Sequence, residues 1–227
     1  MFPCLLCDLM ADQPLCQPCQ QDLPYYQSDK QHKICQCCAT IFSVGEQGDL
    51  GIDYCGQCLS NAPLYQRAYA CFYYAYPINH LITNVKYNSN LIILNQLAQM
   101  MISRFKPNCI FDCIMPIPMH SLHLRWRGFN QSAILAKKIA KSLNVVVDVN
   151  SCRCVRYPKK QTRLNQKQRL RNVTGLFAAK KQLNYQHVLI VDDVMTTGAT
   201  VSALTKVLLS AGVKKVSVYC CARGRLS

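Results

Sequence analysis

The sequence predicts an α/β fold, a mostly parallel sheet with helices on both faces, behind a small cysteine-rich head. Three observations carry that expectation. From residue 67 onward, short apolar segments alternate with segments of helical period. One of them, "HVLIVDD" (187–193), is too continuously apolar for a sheet with a wet face, so both its faces must be covered. Finally, four C-x2-C pairs crowd into the first 60 residues.

Charge divides the 227-residue chain in the same place. Its net charge is +15, yet residues 1–66 hold two lysines against seven acids. Residues 67–227 hold 24 Lys and Arg against only Asp112, Asp148, Asp192 and Asp193. A boundary near residue 66 follows, giving a zinc-binding head (1–66) and a larger basic domain (67–227). So basic a domain suits a polyanionic partner: nucleic acid, phosphates or an acidic protein. No apolar run approaches the ~20 residues of a membrane span. The start, "MFPCLLCDLM", lacks the basic residues, long apolar segment and small-residue cleavage site of a signal peptide, so a cytoplasmic protein is expected.

The head pairs are Cys4/Cys7, Cys16/Cys19, Cys35/Cys38 and Cys55/Cys58. A C-x2-C turn lets two sulfurs converge on one tetrahedral ion, and Zn²⁺ adds no redox chemistry. A segment this short and poor in aliphatics needs the binding energy of metal to fold, so two structural zinc ions are expected. Pairing in sequence order needs only short loops; a crossed arrangement stays open, as does Cys37 in place of Cys38. The other cysteines (71, 109, 113, 152, 154, 220 and 221) sit in apolar surroundings, where buried packing is expected.

Along the basic domain, "RAYACFYYAY" (67–76) reads as a strand. Ile78, Leu81, Ile82 and Val85 mark a helix that runs into Lys86, and a second helix, 90–105, stops before Pro107. "CIMPIP" (113–118) is a strand ended by its prolines. Helix 130–143 buries Ile134, Ala136, Ile139, Ala140 and Leu143. Residues 145–149 and 152–156 are two strands or one bent strand. Strand 187–193 precedes helix 198–211, which Gly212 ends in a left-handed stop, and 215–221 is the last strand.

The chemistry concentrates in "VLIVDDVMTTGAT" (188–200). In a parallel sheet, ligands sit at the carboxyl ends of strands, where this strand delivers Asp192 and Asp193. The helix that follows offers unpaired amides and a positive dipole end to an anion. Thr196, Thr197 and Thr200 add hydroxyls, while Gly198 lets the backbone approach closely. Carboxylates accept hydrogen bonds from sugar hydroxyls. A ribose carrying a 5′-phosphate therefore satisfies both halves, provided some donor or metal compensates the two adjacent acids.

This stretch resembles the signature of type I phosphoribosyltransferases, which bind 5-phosphoribosyl-1-pyrophosphate (PRPP) with Mg²⁺. The resemblance implies that Asp192 and Asp193 hold the ribose hydroxyls and that residues 196–200, Ala199 included, hold the 5′-phosphate. Some purine salvage enzymes of this class carry an Asp for the purine N7 proton where this chain has Thr196, which argues against purine salvage.

Cations flank the motif. "HLRWRGFNQ" (123–131) offers Arg125 and Arg127 to pyrophosphate or a nucleic-acid backbone. Its Trp126 can stack a base or pack on the rim, and Asn130 can cap a helix. "RYPKKQTRLNQKQRLRN" (156–172) holds seven cations, among them Lys159, Lys160 and Arg163, and no acid. It reads either as a basic lid or as a solvated face. Lys86 joins these phosphate-binding candidates.

In order, the C-x2-C pairs, "LITNVKY", "PIPMHSLHLRWRGFNQS", "QTRLNQKQRLRNVTGLF" and "VLIVDDVMTTGATVSAL" resemble the ComF (ComFC/GntX-type) family. These are bacterial proteins with an amino-terminal zinc finger and a phosphoribosyltransferase domain, associated with DNA uptake in natural transformation. The resemblance implies binding of single-stranded DNA and PRPP, with a competence helicase and recombination proteins as partners. The alternatives are a phosphoribosyltransferase of nucleotide metabolism and a binding module built on a retired catalytic pocket.

Overall fold

Two small units of the same design open the chain. In the first, strands β1 (Phe2–Pro3) and β2 (Met10–Ala11) form an antiparallel hairpin whose turn carries Cys4 and Cys7. Helix α1 (Gln17–Gln21) follows, with Cys16 at its N-cap and Cys19 within it. The second unit repeats this with β3 (His32–Ile34), β4 (Ile41–Ser43) and α2 (Gly56–Ser60), Cys55 standing at the N-cap. The computed structural model describes residues 1–28, 32–43, 53–157, 175–180 and 182–224.

The larger part is built on β5 (Arg67–Tyr73), β6 (Cys113–Pro116), β7 (Val146–Val147), β10 (His187–Met195) and β11 (Lys215–Arg223). They form one sheet in the order β5-β11-β10-β6-β7, and every pair in it is parallel. Helices α3 (Ile78–Asn88), α4 (Leu91–Arg104) and α6 (Gln131–Leu143) cover one face. On the other lie α7 (Ala199–Ser210) and a separate antiparallel hairpin, β8 (Cys152–Cys154) with β9 (Phe177–Ala179). Strand β10 shows why its sequence is continuously apolar. Leu189 and Val191 enter the core under α4 and α6, while Val188 and Ile190 enter the core under α7.

The head has little core of its own. Cys4, Leu15 and Leu23 are buried in the same cluster as Phe72, Leu81 and Met101. Residues 24–26 also run antiparallel to β5: Tyr26 N–H donates to the Cys71 carbonyl at 2.9 Å, and Tyr73 N–H to the Pro24 carbonyl at 2.8 Å. An edge strand left open would invite pairing with another chain, and this segment covers it.

Several expectations need correction. The first domain strand stops at Tyr73 rather than residue 76. Residues 145–149 contribute only β7, and 152–154 leave the main sheet to pair with β9, which the sequence did not announce. A single bent strand is excluded because Asp148 accepts from the N–H groups of Asn150 and Ser151, both at 2.9 Å, closing a tight turn between them. Arg125 and Arg127 lie on a short helix, α5 (Ser121–Arg127), that the sequence reading did not assign; Gly128 ends it at φ 82°. The predicted helices lose their first residues to caps, with Asn90, Asn130 and Gly198 at the N-cap positions. Gly212 is left-handed as expected (φ 108°). A side chain there would meet the Leu183 carbonyl at 2.7 Å. Among the extra cysteines, 71, 113, 152, 220 and 221 are buried, whereas Cys109 and Cys154 are half-buried.

Candidate phosphoribosyl site and metal clusters

The sheet divides between β10 and β6. From β10 the chain crosses over α7 to β11, and from β6 it crosses over α6 to β7 on the opposite side. Such a point opens a crevice beyond the strand ends. Pairing with β6 ends at Val191↔Pro116, while β10 continues beside β11 to Met195↔Arg223. Asp192 and Asp193 thus stand within the strand but past the end of its neighbour, and both are buried.

Their partners are specific. Asp193 Oδ2 accepts from Lys86 Nζ at 2.9 Å and from Gln131 Nε2 at 2.7 Å. Asp192 Oδ1 accepts from Ser132 Oγ at 3.0 Å and from the Asp193 N–H at 2.9 Å. Burial opposes ionisation of both, but the Lys86 ammonium and the Gln131 amide hold Asp193 below the usual carboxylate range. Asp192 has no such cation to itself; burial and then the Asp193 charge push it up to about 7. The Lys86 ammonium, against the cost of its own burial, is held above its usual range by Asp193. Lys86 therefore spends its charge on an acid inside the crevice wall rather than presenting it outward.

"RGFNQS" acquires a structural reading. Asn130 Oδ1 accepts from the N–H groups of Ser132 (3.0 Å) and Ala133 (3.4 Å), capping α6, and its amide donates to the Ile117 carbonyl at 3.0 Å. That fixes the helix start beyond β6 and aims Gln131 and Ser132 at the acid pair. Arg127 Nη1 donates to Gln131 Oε1 at 2.9 Å, while its Nε is buried without a hydrogen-bond partner. Gln131 and Ser132 escaped the sequence reading. The signal available was two polar residues in the first turn of a helix otherwise read for its apolar face.

Across the crevice, the turn after β10 ends at Gly198 in the left-handed conformation (φ 76°), and α7 begins at Ala199. Thr197 Oγ1 accepts from the Ala199 N–H at 3.4 Å. The first-turn amides of α7 lack intrahelical partners. Thr196 is fixed by its carbonyl, which accepts from Arg223. A cavity of about 160 Å³ lies between the two helix starts, lined by Asp192, Thr200, Ser132, Phe177, His120 and His123. Burial, then Arg127 and His120, lower the His123 pKa. Neither histidine was singled out from the sequence. Outside the cavity, Arg125 is exposed, and Trp126 is 69% exposed beside it. Lys159, Lys160 and Arg163 lie outside the described residues.

The head's eight candidate ligands form two groups, Cys4/Cys7/Cys16/Cys19 and Cys35/Cys38/Cys55/Cys58, with the four sulfurs of each within 4.8 Å of one another. The sequence-order pairing holds. Cys7–Cys16 and Cys38–Cys55 sulfurs are 3.6 Å apart, near the edge of about 3.8 Å that a tetrahedron of ~2.3 Å metal–sulfur bonds requires. Burial would raise the Cys4 thiol, but the N–H groups of Cys16, Leu6 and Cys7 bring it down to about 6. By the same balance the amides of Cys38, Cys55 and Cys37 bring Cys35 to about 7. Burial and their ionised neighbours raise Cys19 and Cys58. Four thiolates so close need a cation, and the geometry suits one. Cys37 is not in the group; its thiol faces the Tyr65 carbonyl at 3.9 Å.

Known proteins are similar to this chain. A phosphoribosyl transferase domain matches residues 130–226, from the cap of α6 through β11, so β10 and the starts of α6 and α7 fall within it. The DNA utilization protein YhgH of Salmonella typhi is 31% identical over 74% of this chain and 77% of its own. The chain belongs to the ComF family. Competence protein F of Haemophilus influenzae is 26% identical over 98% of this chain and 97% of that one, a match that takes in the head. Among solved structures, glutamine phosphoribosylpyrophosphate amidotransferase of B. subtilis aligns with a TM-score of 0.37 and 18% identity. That alignment covers 56% of this ComF-family chain and 25% of the amidotransferase. No described helix is long and apolar enough to cross a membrane.

Proposed function

We propose that this chain binds PRPP in the crevice between β6 and β10, binds single-stranded DNA along its basic rim, and handles incoming DNA in natural transformation. The observation that carries the reading is the pairing of Asp192 with Thr200, in the first turn of α7, across one cavity. The Asp192 carboxylate accepts from ribose hydroxyls. The first amides of α7, with the hydroxyls of Thr196, Thr197 and Thr200, take the 5′-phosphate. Asp193 acts behind Asp192, holding Lys86 and Gln131 so that the wall carries one net negative charge instead of two. The orphaned Nε of Arg127, the last residue of α5, is a donor awaiting an anionic oxygen such as the pyrophosphate supplies.

Mg²⁺ suits this site as part of the ligand. Among the described residues the crevice holds no acids beyond the pair, so the ion's ligands would be mainly phosphate oxygens and water, and it would offset pyrophosphate charge. The two head clusters hold structural zinc, and the division into a head (1–66) and a basic domain (67–227) follows the charge. Competence protein F and the DNA utilization protein support the role in DNA handling, with a helicase and recombination proteins as partners in the cytoplasm. Arg125 and the exposed Trp126 are suited to a phosphate and an unstacked base of one strand.

A second reading, phosphoribosyl transfer, is favoured by His120 and His123 at the Asp192 cavity. A neutral His123 there can accept the proton that an incoming nitrogen loses. Calorimetry with PRPP–Mg²⁺ tests the first reading: wild type binds and Asp192→Asn does not, while affinity for a labelled DNA oligonucleotide stays the same. PRPP binding that survives the substitution would reject the site. Pyrophosphate release on adding a base, lost in His123→Ala, would establish the second reading.

A further inference from the structure

Arg223, the last residue of β11, is 2% exposed, and no carboxylate faces it among the described residues. A buried guanidinium is tolerated only if its donors are satisfied and some negative charge lies near. Its donors run in two directions. Nε donates to the Cys38 carbonyl at 3.1 Å and Nη2 to Thr40 Oγ1 at 3.0 Å, both on the turn that carries the second cysteine group. Nη1 donates to the carbonyls of Met195 (3.0 Å), Thr196 and Gly224 (3.1 Å), at the root of the phosphate turn. The missing counter-charge has an obvious source, since four thiolates around one divalent ion carry a net charge of −2.

Other contacts fix the same two segments. Ala68 N–H donates to the Cys37 carbonyl at 2.7 Å, and the Tyr26 hydroxyl donates to the Ala39 carbonyl. The buried Tyr65 places its hydroxyl 3.4 Å from where a side chain on Gly198 would begin. Cys4, of the first cysteine group, instead packs among Leu15, Leu23 and Phe72 on the opposite face of the sheet.

We infer that the second metal cluster is the back wall of the phosphate turn. Arg223 is the positioning residue that couples metal at Cys35/Cys38/Cys55/Cys58 to ligand at Thr196–Thr200. The inference rests on the reading of that turn given above. Linkage makes the coupling reciprocal: metal tightens the ligand by the same factor as ligand tightens the metal, on the order of ten-fold. The first cluster stands outside this linkage.

The test measures zinc release from the full-length, two-zinc protein to a chromogenic chelator, with and without saturating PRPP–Mg²⁺. With metal association unchanged, the ten-fold coupling falls on dissociation, so PRPP should slow one release phase roughly ten-fold and leave the other unchanged. The protected phase should persist in Cys7→Ser, which lacks the first site. Arg223→Gln, still carrying two zinc ions, should lose the protection and bind PRPP weaker by the same factor. If that variant fails to fold, Thr40→Val, which removes one acceptor, should reduce the protection. Equal protection of both phases, or none although calorimetry shows PRPP bound, would overturn the coupling. A wild-type protein that binds no PRPP would instead overturn the functional reading, and this inference with it.

Discussion

Asp192→Asn should make the protein more stable while removing its ligand. Three charges are buried together at the crevice: Lys86 and Asp193 compensate one another at 2.9 Å, and Asp192 is left over. Its pKa is raised from 3.8 to about 7. A shift of that size corresponds to at most ~4 kcal/mol of lost stability at pH 8. The amide keeps both existing hydrogen bonds, since Ser132 and the Asp193 N–H both donate to Oδ1, which in asparagine remains an acceptor. A group whose folded pKa is raised contributes fully below its unfolded pKa, and that contribution is lost as pH rises through the folded value. Wild type should therefore match the variant near pH 4 and fall progressively behind it up to pH 7–8. With roughly 2–4 °C per kcal/mol for a chain of this size, the gap in Tm should reach at most about 8–16 °C at pH 8. Scanning calorimetry of the zinc-loaded proteins at pH 4.5, 6, 7 and 8 measures it. A gap independent of pH, or a variant less stable at pH 8, would refute the argument by showing Asp192 ionised and compensated by something else.

Asp193→Asn should do the reverse, because it strips Lys86 of its partner. A cost of about 3–5 kcal/mol is expected, read as a fall in Tm at pH 7. Gly198→Ala forces a left-handed side-chain residue into the phosphate turn at φ 76°, with its Cβ 3.0 Å from Met195 Cε. The expected loss is about 1–2 kcal/mol of stability together with weaker PRPP binding by calorimetry. Trp126→Ala should weaken single-stranded DNA binding by roughly 1–3 kcal/mol, measured by fluorescence anisotropy, without changing the slope of log K against log salt. Arg125→Ala should instead flatten that slope by about 0.7, the increment for one phosphate of a single strand no longer neutralised.

The sequence displayed some parts of this molecule and hid others for physical reasons. Strand β10 and helix α7 were visible because burial on both faces and the Gly198 turn leave local signatures. The cysteine groups were visible because each C-x2-C spacing brings two sulfurs together within one turn. What stayed hidden is non-local. Nothing near Lys86 in the chain says that its ammonium will meet Asp193, 107 positions away, and nothing near Gln131 or Ser132 announces an acid pair across the sheet. Helix α5 was missed because "SLHLRWR" exposes apolar residues, Leu122, Leu124 and Trp126, so its pattern matches no buried face. Strand β9 is three residues long, and pairing rather than propensity makes it a strand.

The acid pair illustrates how one motif can hold two opposite roles. Adjacent residues on a strand point to opposite faces. Asp193 turns toward α3 and α6, where Lys86 and Gln131 can reach it, and Asp192 turns toward the cavity and Thr200. A single acid would satisfy Lys86 and leave nothing for a ligand, or serve a ligand and leave Lys86 buried alone. With two, the inner carboxylate settles the charge of the wall while the outer one stays under-compensated. That residual cost of burying Asp192 is relieved by any group that brings hydroxyl donors into the cavity. Ligand affinity and apo-state instability thus have the same origin, which is why substitutions at the two aspartates should move stability in opposite directions.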